Sequence, residues 1–188
     1  MPHQLILELT QGEEPLFVLQ NTFHWVKSIT VETREGDSIS AGHFKPINSK
    51  RFVNDCHEYV FHLTKNGKVP VDRKAAGVPY VDKSNIDRWG HSEGEDLRCR
   101  GNTWFIPYDT IRSRDEQRPH PATFPVALAT RCIQLHGKGP ETRMLDPFLG
   151  IGSSAKAAQE SGIQTFTGIE LDEGYLGVAE ERLGQTRA

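Results

Sequence analysis

Hydrophobic and polar residues alternate along the first third of the chain in a way that predicts β structure. Residues 16–31 are rich in β-branched and aromatic side chains and predict one strand, and residues 57–64 predict a second. Residues 5–9 are typical of the end of a helix. Residues 34–51 are polar and contain glycine and proline, so we expect a loop between the two strands.

The last third of the chain has the most regular pattern. Pro121 predicts the first turn of a helix that ends near residue 136, because proline is tolerated at that position. Strand, helix, strand and helix then follow in order, at residues 144–146, 152–161, 164–170 and 173–183. This order predicts one βαβ unit of a parallel sheet, and Asp172 is placed to cap the last helix.

The middle of the chain is irregular and mildly basic. Residues 68–100 show no sustained periodicity, and a loop of this length is uncommon unless it is functional or disordered. Between Lys45 and Arg118 there are 14 Lys and Arg against 11 Asp and Glu, whereas from Glu141 onward there are 4 against 8. The net charge of −3 does not reveal this asymmetry. If the chain binds nucleic acid, the asymmetry favours the middle of the chain as the binding surface.

Several classes of protein and site are disfavoured. The three cysteines are far apart and form no CxxC pair, which suits a reducing cytosol and predicts no metal site. The segment HEYVFH, residues 57–62, lacks the spacing of a zinc motif, and its histidines would face opposite sides of a strand. No apolar run approaches the roughly 20 residues of a membrane span, and the N-terminus does not resemble a secretion signal. We therefore expect a cytoplasmic protein.

A candidate nucleotide-binding loop lies at residues 145–154, LDPFLGIGSS, between the first strand of the βαβ unit and its helix. Gly150 and Gly152 allow a sharp turn and a close approach to a ligand, and the helix N-terminus directs N–H groups into the crevice. Glu170 ends the next strand, where an acid can accept hydrogen bonds from ribose hydroxyls. The alternative is that the glycines only end a strand and Glu170 is a surface acid. A nicotinamide-dependent oxidoreductase is disfavoured because the third fingerprint glycine is absent.

Two segments, LDPFLGIGSSAKAA and GIELDEGYLGVAEERL, resemble the cofactor motifs of the adenine-N6 and cytosine-N4 DNA methyltransferases of restriction–modification systems. GNTWFIPY and RPHPATFPVALATRCIQLHG resemble the segment before the cofactor strand in the beta group of that family. QNTFHWVKS and FVNDCHEYVFHLTK resemble its middle strands. The resemblance implies an α/β fold with a Rossmann-like S-adenosylmethionine-dependent methyltransferase sheet. It also implies a prokaryotic or phage protein that acts on double-stranded DNA.

The resemblance also assigns the residues that contact S-adenosylmethionine. They are Asp146, Pro147, Phe148, Gly150, Gly152, Ser153, Glu170, Leu171, Asp172, His120, Pro121 and Phe124. Asp146 would face the amino-acid moiety of the cofactor, Glu170 would hold the ribose, and Leu171 would lie against the adenine. The HPATFP stretch would line the methionine end, although His120 alone is also explained as an ordinary histidine at a helix start.

The catalytic motif of the family, Asp/Ser/Asn-Pro-Pro-Tyr/Phe, is missing, because no Pro-Pro occurs in the sequence. In the family this motif holds the target amino group and stacks on a base flipped out of the duplex. The beta order places it ahead of the strand at residues 16–31, so we expect it on sequence before Met1. The chain would then be a C-terminal portion, from a truncated or split gene, with an incomplete sheet. The alternative is that it folds differently from its relatives. A separate N-terminal fragment that carries the motif is a candidate partner, and no catalytic residue is assigned here.

Residues 66–100 stand where the family keeps its target-recognition region. The candidate DNA contacts in this irregular insertion are Lys83, Arg88, Arg98 and Arg100. Such cations suit phosphate contacts with some reading of base edges. Acidic residues are interleaved with them, so a solvated surface loop is the alternative.

These observations predict three segments and one activity. Residues 1–65 would be the second half of the methyltransferase sheet, 66–100 the target-recognition segment, and 101–188 the cofactor-binding segment. The activity would be methyl transfer from S-adenosylmethionine to an exocyclic amino group of a DNA base. Cytosine N4 is slightly favoured over adenine N6, because RGNTWFIPY and RPHPATFP most resemble that subgroup. Ring-carbon methylation is disfavoured, since no Pro-Cys is present. The alternative is an inactive remnant that binds the cofactor or DNA.

Overall fold

A computed structural model of the chain describes residues 2–42, 44, 48, 50–86, 88, 94–108, 123–137 and 139–184. The chain divides into two compact units. The first is Met1–Val71 with Arg100–Pro107, and the second is Asp72–Cys99 with Tyr108–Ala188. The three predicted segments, residues 1–65, 66–100 and 101–188, were defined by the order of motifs along the chain and not by packing. They stay a prediction.

The first unit is built on a three-stranded sheet. Its elements are α1 (Pro2–Thr10), β1 (Val18–Val26), β2 (Ser28–Glu32), β3 (Ser38–Gly42), β4 (His57–Thr64) and β5 (Thr103–Phe105). β1 is the central strand, antiparallel to β4 and parallel to β5. The predicted N-terminal helix and the strand at residues 57–64 are confirmed.

Aromatic side chains form the core of this unit. The rings of Phe23 and Trp104 stack with their centroids 4.4 Å apart, and Trp104 is only 1% exposed. The indole N–H of Trp25 donates to the carbonyl oxygen of Ile106 at 2.8 Å. Burial of such a ring contributes about 1.5–3 kcal/mol, and these contacts hold β5 beside β1 although β5 is only three residues long.

The prediction of one strand over residues 16–31 is wrong, because the chain changes partner at Lys27. The Lys27 amide donates to the Cys56 carbonyl, and from Ser28 onward the chain pairs with β3 in a separate two-stranded hairpin. The expected loop at residues 34–51 therefore contains a strand. Ile29 and Val31 continue the apolar pattern but lie 38% and 51% exposed, so hydrophobicity alone does not reveal the change of partner.

The second unit contains the predicted βαβ arrangement. Its elements are a 3₁₀ turn (Lys83–Asn85), α2 (Val126–His136), β6 (Arg143–Asp146), α3 (Ser153–Glu160), β7 (Thr165–Gly168) and α4 (Glu173–Arg182). β6 and β7 are parallel, which confirms the prediction. The Asp172 carboxylate accepts a hydrogen bond from the Tyr175 amide at 3.0 Å, so the predicted cap of the last helix is also confirmed.

Small residues allow α2 and α3 to pack closely in this unit. Ala129 of α2 lies in one buried cluster with Ala157 and Ala158 of α3. The predicted helix start at Pro121 is wrong, since residues 123–125 are not helical and α2 begins at Val126. Pro125 is the extended N-cap residue, and a proline also disfavours helical backbone in the residue before it.

Within the described part of the chain, the strands form three sheets, ordered β4-β1-β5, β2-β3 and β6-β7. On its side away from β7, β6 pairs with no described strand. Leu145, in the middle of β6, is 62% exposed. Within the described residues, β6 therefore has one unpaired edge and an exposed apolar side chain.

Candidate cofactor site

The loop after β6 depends on two glycines with positive φ. Gly150 has φ +54° and Gly152 has φ +80°, a left-handed conformation that favours glycine. Gly152 is also packed against α4, because a Cβ added there would lie 2.9 Å from the Cβ of Ala179. The loop can therefore turn into α3 only with the residue types that the sequence motif carries.

Asp146 fixes the start of this loop. Its carboxylate accepts a hydrogen bond from the Phe148 amide at 2.9 Å, and its second oxygen accepts one from the Ser154 hydroxyl. Ser154 lies in the first turn of α3. Asp146 thus joins the end of β6 to the N-terminus of the helix, where backbone N–H groups and the helix dipole favour negative or hydrogen-bond-accepting ligand groups.

Glu170 joins the ends of the two parallel strands. One carboxylate oxygen accepts a hydrogen bond from the Gly150 amide at 2.7 Å. The other accepts from the amides of Leu171 and Asp172 at 2.8 and 3.0 Å. Glu170 is therefore oriented by three backbone donors and stands beside the glycine loop, where the sequence predicted an acidic residue.

A cavity of about 370 Å³ opens between this loop and the end of β7. Most of the predicted cofactor residues line it: Phe124, Pro147, Phe148, Gly150, Ser153, Glu170 and Leu171. Asp146, Gly152 and Asp172 instead support the lining residues through the contacts given above. Two large apolar side chains on the cavity are solvent-exposed, Phe148 at 86% and Leu171 at 98%. The predicted contacts His120 and Pro121 lie outside the described residues.

Two supporting residues were missed by the sequence reasoning. The guanidinium of Arg182, at the end of α4, donates to the carbonyl oxygen of Ile151 at 2.5 Å. This hydrogen bond joins the glycine loop to α4. Ser154, already mentioned, follows the predicted Ser153. Ser154 could have been found as a hydroxyl in the first helical turn, whereas no local pattern connects Arg182 with a loop 31 residues earlier.

The predicted DNA contacts lie in two different units. Lys83, Arg88 and Arg98 belong to the second unit and Arg100 to the first. Arg88 and Arg98 are exposed, and Arg100 is half-buried. The Lys83 ammonium lies 2.5 Å from a carboxylate oxygen of Asp96.

Two other features are absent from the described residues. No cluster of three or more His, Cys, Asp or Glu side chains is arranged to hold a metal ion within the described ranges. In the same part of the chain, no helix combines the length and the apolar character that a bilayer crossing requires.

Comparison with known proteins identifies the family. A family model described as DNA methylase matches residues 4–181. The chain is 40% identical over 186 residues to the Type II methyltransferase M.ScaI of Streptomyces caespitosus, covering 93% of the chain and 53% of that protein. It is 29% identical to the Type II methyltransferase M.SmaI of Serratia marcescens, covering 91% of the chain and 50% of that protein. The chain thus spans about half the length of these curated relatives.

Solved structures show the same fold. The PvuII DNA methyltransferase, described as cytosine-N4-specific, matches 96% of the chain and 55% of its own length with a TM-score of 0.62 at 17% identity. The M1.HpyAVI–SAM complex matches 88% of the chain and 62% of its own length with a TM-score of 0.54 at 23% identity. The predicted α/β methyltransferase fold is therefore confirmed. The chain belongs to the DNA methylase family, whose members are S-adenosylmethionine-dependent DNA methyltransferases.

Proposed function

We propose that this chain binds S-adenosylmethionine in the cavity beside Glu170 and forms the cofactor half of a Type II DNA methyltransferase. The observation that carries the proposal is the position of Glu170, which three backbone amides hold at the end of β7 beside the glycine loop. The bound cofactor would supply an activated methyl group for direct transfer to an exocyclic amino nitrogen. The residues of the chain would bind and orient it.

The residues present fit this cofactor chemically. The Glu170 carboxylate, with three backbone donors, keeps acceptor capacity for a ribose hydroxyl. The exposed Leu171 and Phe148 give apolar surfaces for the adenine and its neighbouring groups. The cavity volume falls within the roughly 300–1,000 Å³ of small-molecule sites. Asp146 would face the amino-acid moiety, and Phe124 would line the methionine end.

Cofactor affinity of single variants tests this assignment. Glu170→Gln keeps the shape of the side chain and removes its charge, so we expect about 10- to 100-fold weaker binding of S-adenosylmethionine by isothermal titration. Loss of a hydrogen bond to a charged group accounts for this magnitude. Glu160→Gln, an exposed acid at the end of α3, is the matched control and should bind normally. Unchanged affinity in Glu170→Gln would exclude Glu170 as the ribose ligand.

We also propose that catalysis needs a segment outside these 188 residues. No Pro-Pro motif is present to accept the target amino group. Among the described residues, β6 pairs only with β7, and a further strand on its other side would satisfy backbone N–H and C=O groups. Tritiated S-adenosylmethionine and duplex DNA should give methyl transfer only when the chain is mixed with an N-terminal fragment bearing the motif. A normal rate from the chain alone would disprove this requirement.

The second candidate function is an inactive remnant, which the missing motif favours. Such a remnant would bind S-adenosylmethionine or DNA but would give no transfer in the mixing experiment.

If transfer occurs, nucleoside analysis of the product identifies the base. We expect N4-methylcytosine rather than N6-methyladenine, on the sequence resemblance alone. We place the activity in the cytoplasm of a prokaryotic or phage-infected cell.

The DNA-facing surface is proposed to lie in residues 66–100, with Arg88, Arg98 and Arg100 as contacts. Guanidinium groups suit phosphate oxygens and the O6 and N7 acceptors of guanine, and those of Arg88 and Arg98 belong to exposed residues. Lys83 was predicted with them, but its ammonium lies on Asp96, which suggests a different role.

A further inference from the structure

Backbone hydrogen bonds join two separate parts of the proposed recognition segment, residues 66–100. The amide of Val78 donates to the carbonyl of Arg98 at 3.0 Å, and the amide of Arg98 donates to the carbonyl of Val78 at 2.8 Å. Gly77 permits this close approach, because an added Cβ would lie 2.8 Å from the Lys74 carbonyl and 2.9 Å from that of Arg98. The two ends of the intervening loop are therefore held together by backbone contacts.

Two ion pairs connect the two sides of this loop. Lys83 donates to Asp96 at 2.5 Å, and the other oxygen of Asp96 accepts from the Tyr80 amide at 2.9 Å. Lys74 donates to Glu95 at 3.0 Å. The hydrogen bond from Lys83 and then that from Tyr80 hold the pKa of Asp96 below its usual value. Asp96 is therefore a charged centre that binds both a side chain and the backbone of the opposite side.

Such a centre shapes the loop more than it stabilises the whole protein. Exposed ion pairs contribute little to overall stability, and Lys83 and Asp96 are 60% and 41% exposed. A phosphate that bound the Lys83 ammonium would bring a second negative charge beside the Asp96 carboxylate, which the Tyr80 amide also holds in place. The pair is neutral as a unit, so it would release no counterion from DNA.

We infer that Lys83 and Asp96 form an internal strap that positions the recognition loop, and that Lys83 is a positioning residue rather than a phosphate contact. This inference rests on the proposed DNA-binding function of residues 66–100. Phosphate contacts would then come from arginines such as Arg88, which is exposed and follows the 3₁₀ turn.

The effects of Lys83→Met and Asp96→Asn on DNA binding distinguish the two roles of Lys83, because a phosphate contact predicts opposite effects and a strap predicts the same effect. If Lys83 bound phosphate, Asp96→Asn would release it and tighten binding, while Lys83→Met would weaken binding. If the pair is a strap, both variants should lose about tenfold in preference for a selected duplex over a scrambled one, comparable to losing one base contact. The double variant should be no worse than either single one, because both remove the same contact.

Salt dependence gives a second readout, measured by fluorescence anisotropy with a labelled duplex at 50 and 200 mM NaCl. Each lost phosphate contact reduces the slope of log Kd against log salt by about 0.9. For the control Arg88→Met, the ratio of the two Kd values should therefore fall about threefold. For Lys83→Met this ratio should stay unchanged, and a threefold fall there would overturn the strap.

Hydrogen exchange of the Tyr80 amide tests the strap without DNA. Exchange should accelerate by up to about fivefold in Lys83→Met and Asp96→Asn but not in Arg88→Met, because only the first two loosen the acceptor of that amide. Unchanged exchange in both strap variants would overturn the inference. A wild-type chain that bound no duplex at all would instead overturn the proposed DNA-binding function.

Discussion

Replacement of Gly152 by alanine is the most quantitative test of the site geometry. The residue has φ +80°, and an added Cβ would lie 2.9 Å from the Cβ and 3.2 Å from the Cα of Ala179. Left-handed backbone costs an L-residue roughly 1–2 kcal/mol, and overpacking of a well-packed contact costs roughly 1–3 kcal/mol. We therefore expect Gly152→Ala to lose about 2–5 kcal/mol, a large part of the roughly 5–15 kcal/mol that stabilises a domain.

Gly162 is a matched control at the other end of α3. It has φ +76°, and an added Cβ would find no atom within 4 Å. Gly162→Ala should therefore show only the backbone cost of roughly 1–2 kcal/mol. The difference between the two variants, in urea unfolding followed by circular dichroism, measures the contact with α4 by itself. Equal losses in the two variants would refute the close approach of the glycine loop to α4.

A compensating change sharpens the same test. Ala179→Gly removes the nearer of the two atoms that an alanine at position 152 would meet. The double variant should recover part of the loss of Gly152→Ala, so the two changes should be less than additive. The glycine loop lines the cavity, so Gly152→Ala should also weaken S-adenosylmethionine binding, whereas Gly162→Ala should bind normally. Strict additivity in stability would mean that the two residues do not touch.

Three further outcomes follow from the packing. Gly177→Ala, inside α4 with no atom within 4 Å of an added Cβ, should raise the free energy of unfolding by about 0.5–1 kcal/mol; a loss would mean a hidden contact. Burial raises the pKa of Cys132 to about 11, so a thiol reagent at pH 8 should modify exposed Cys99 first, with Cys132 reacting only as the pH approaches that value; equal rates would contradict the burial. Trp25→Phe should cost about 1–3 kcal/mol in thermal unfolding, since it removes the donor to the buried Ile106 carbonyl; an unchanged transition would show that this hydrogen bond contributes nothing.

The βαβ arrangement and its glycine loop were predictable because their signals are local. A strand end, two glycines, a helix cap and an acid at the end of the next strand all depend on residues a few positions apart. The α3 and α4 helices and the cap at Asp172 accordingly match the sequence prediction. The prediction from proline placed the start of α2 a few residues too early, because Pro125 rather than Pro121 precedes the first helical residue.

The other features depend on contacts between residues that are distant in sequence. The change of strand partner at Lys27 is set by which segments pair, and the exposed Ile29 and Val31 give no periodic sign of it. Arg182 supports the glycine loop only because α4 packs beside it. No spacing rule could have assigned that guanidinium to the carbonyl of Ile151.

Lys83 shows the same division most clearly. The sequence by itself determined that a cation lies in an irregular segment, because residue type and local pattern are sufficient for that statement. Only the tertiary structure decided that its ammonium meets Asp96, thirteen residues away, because the path of the loop brings the two charges together. The sequence likewise determined the glycine loop and its acid, whereas folding decided how Ala179 and Arg182 hold that loop in place, since such contacts exist only after the helices pack.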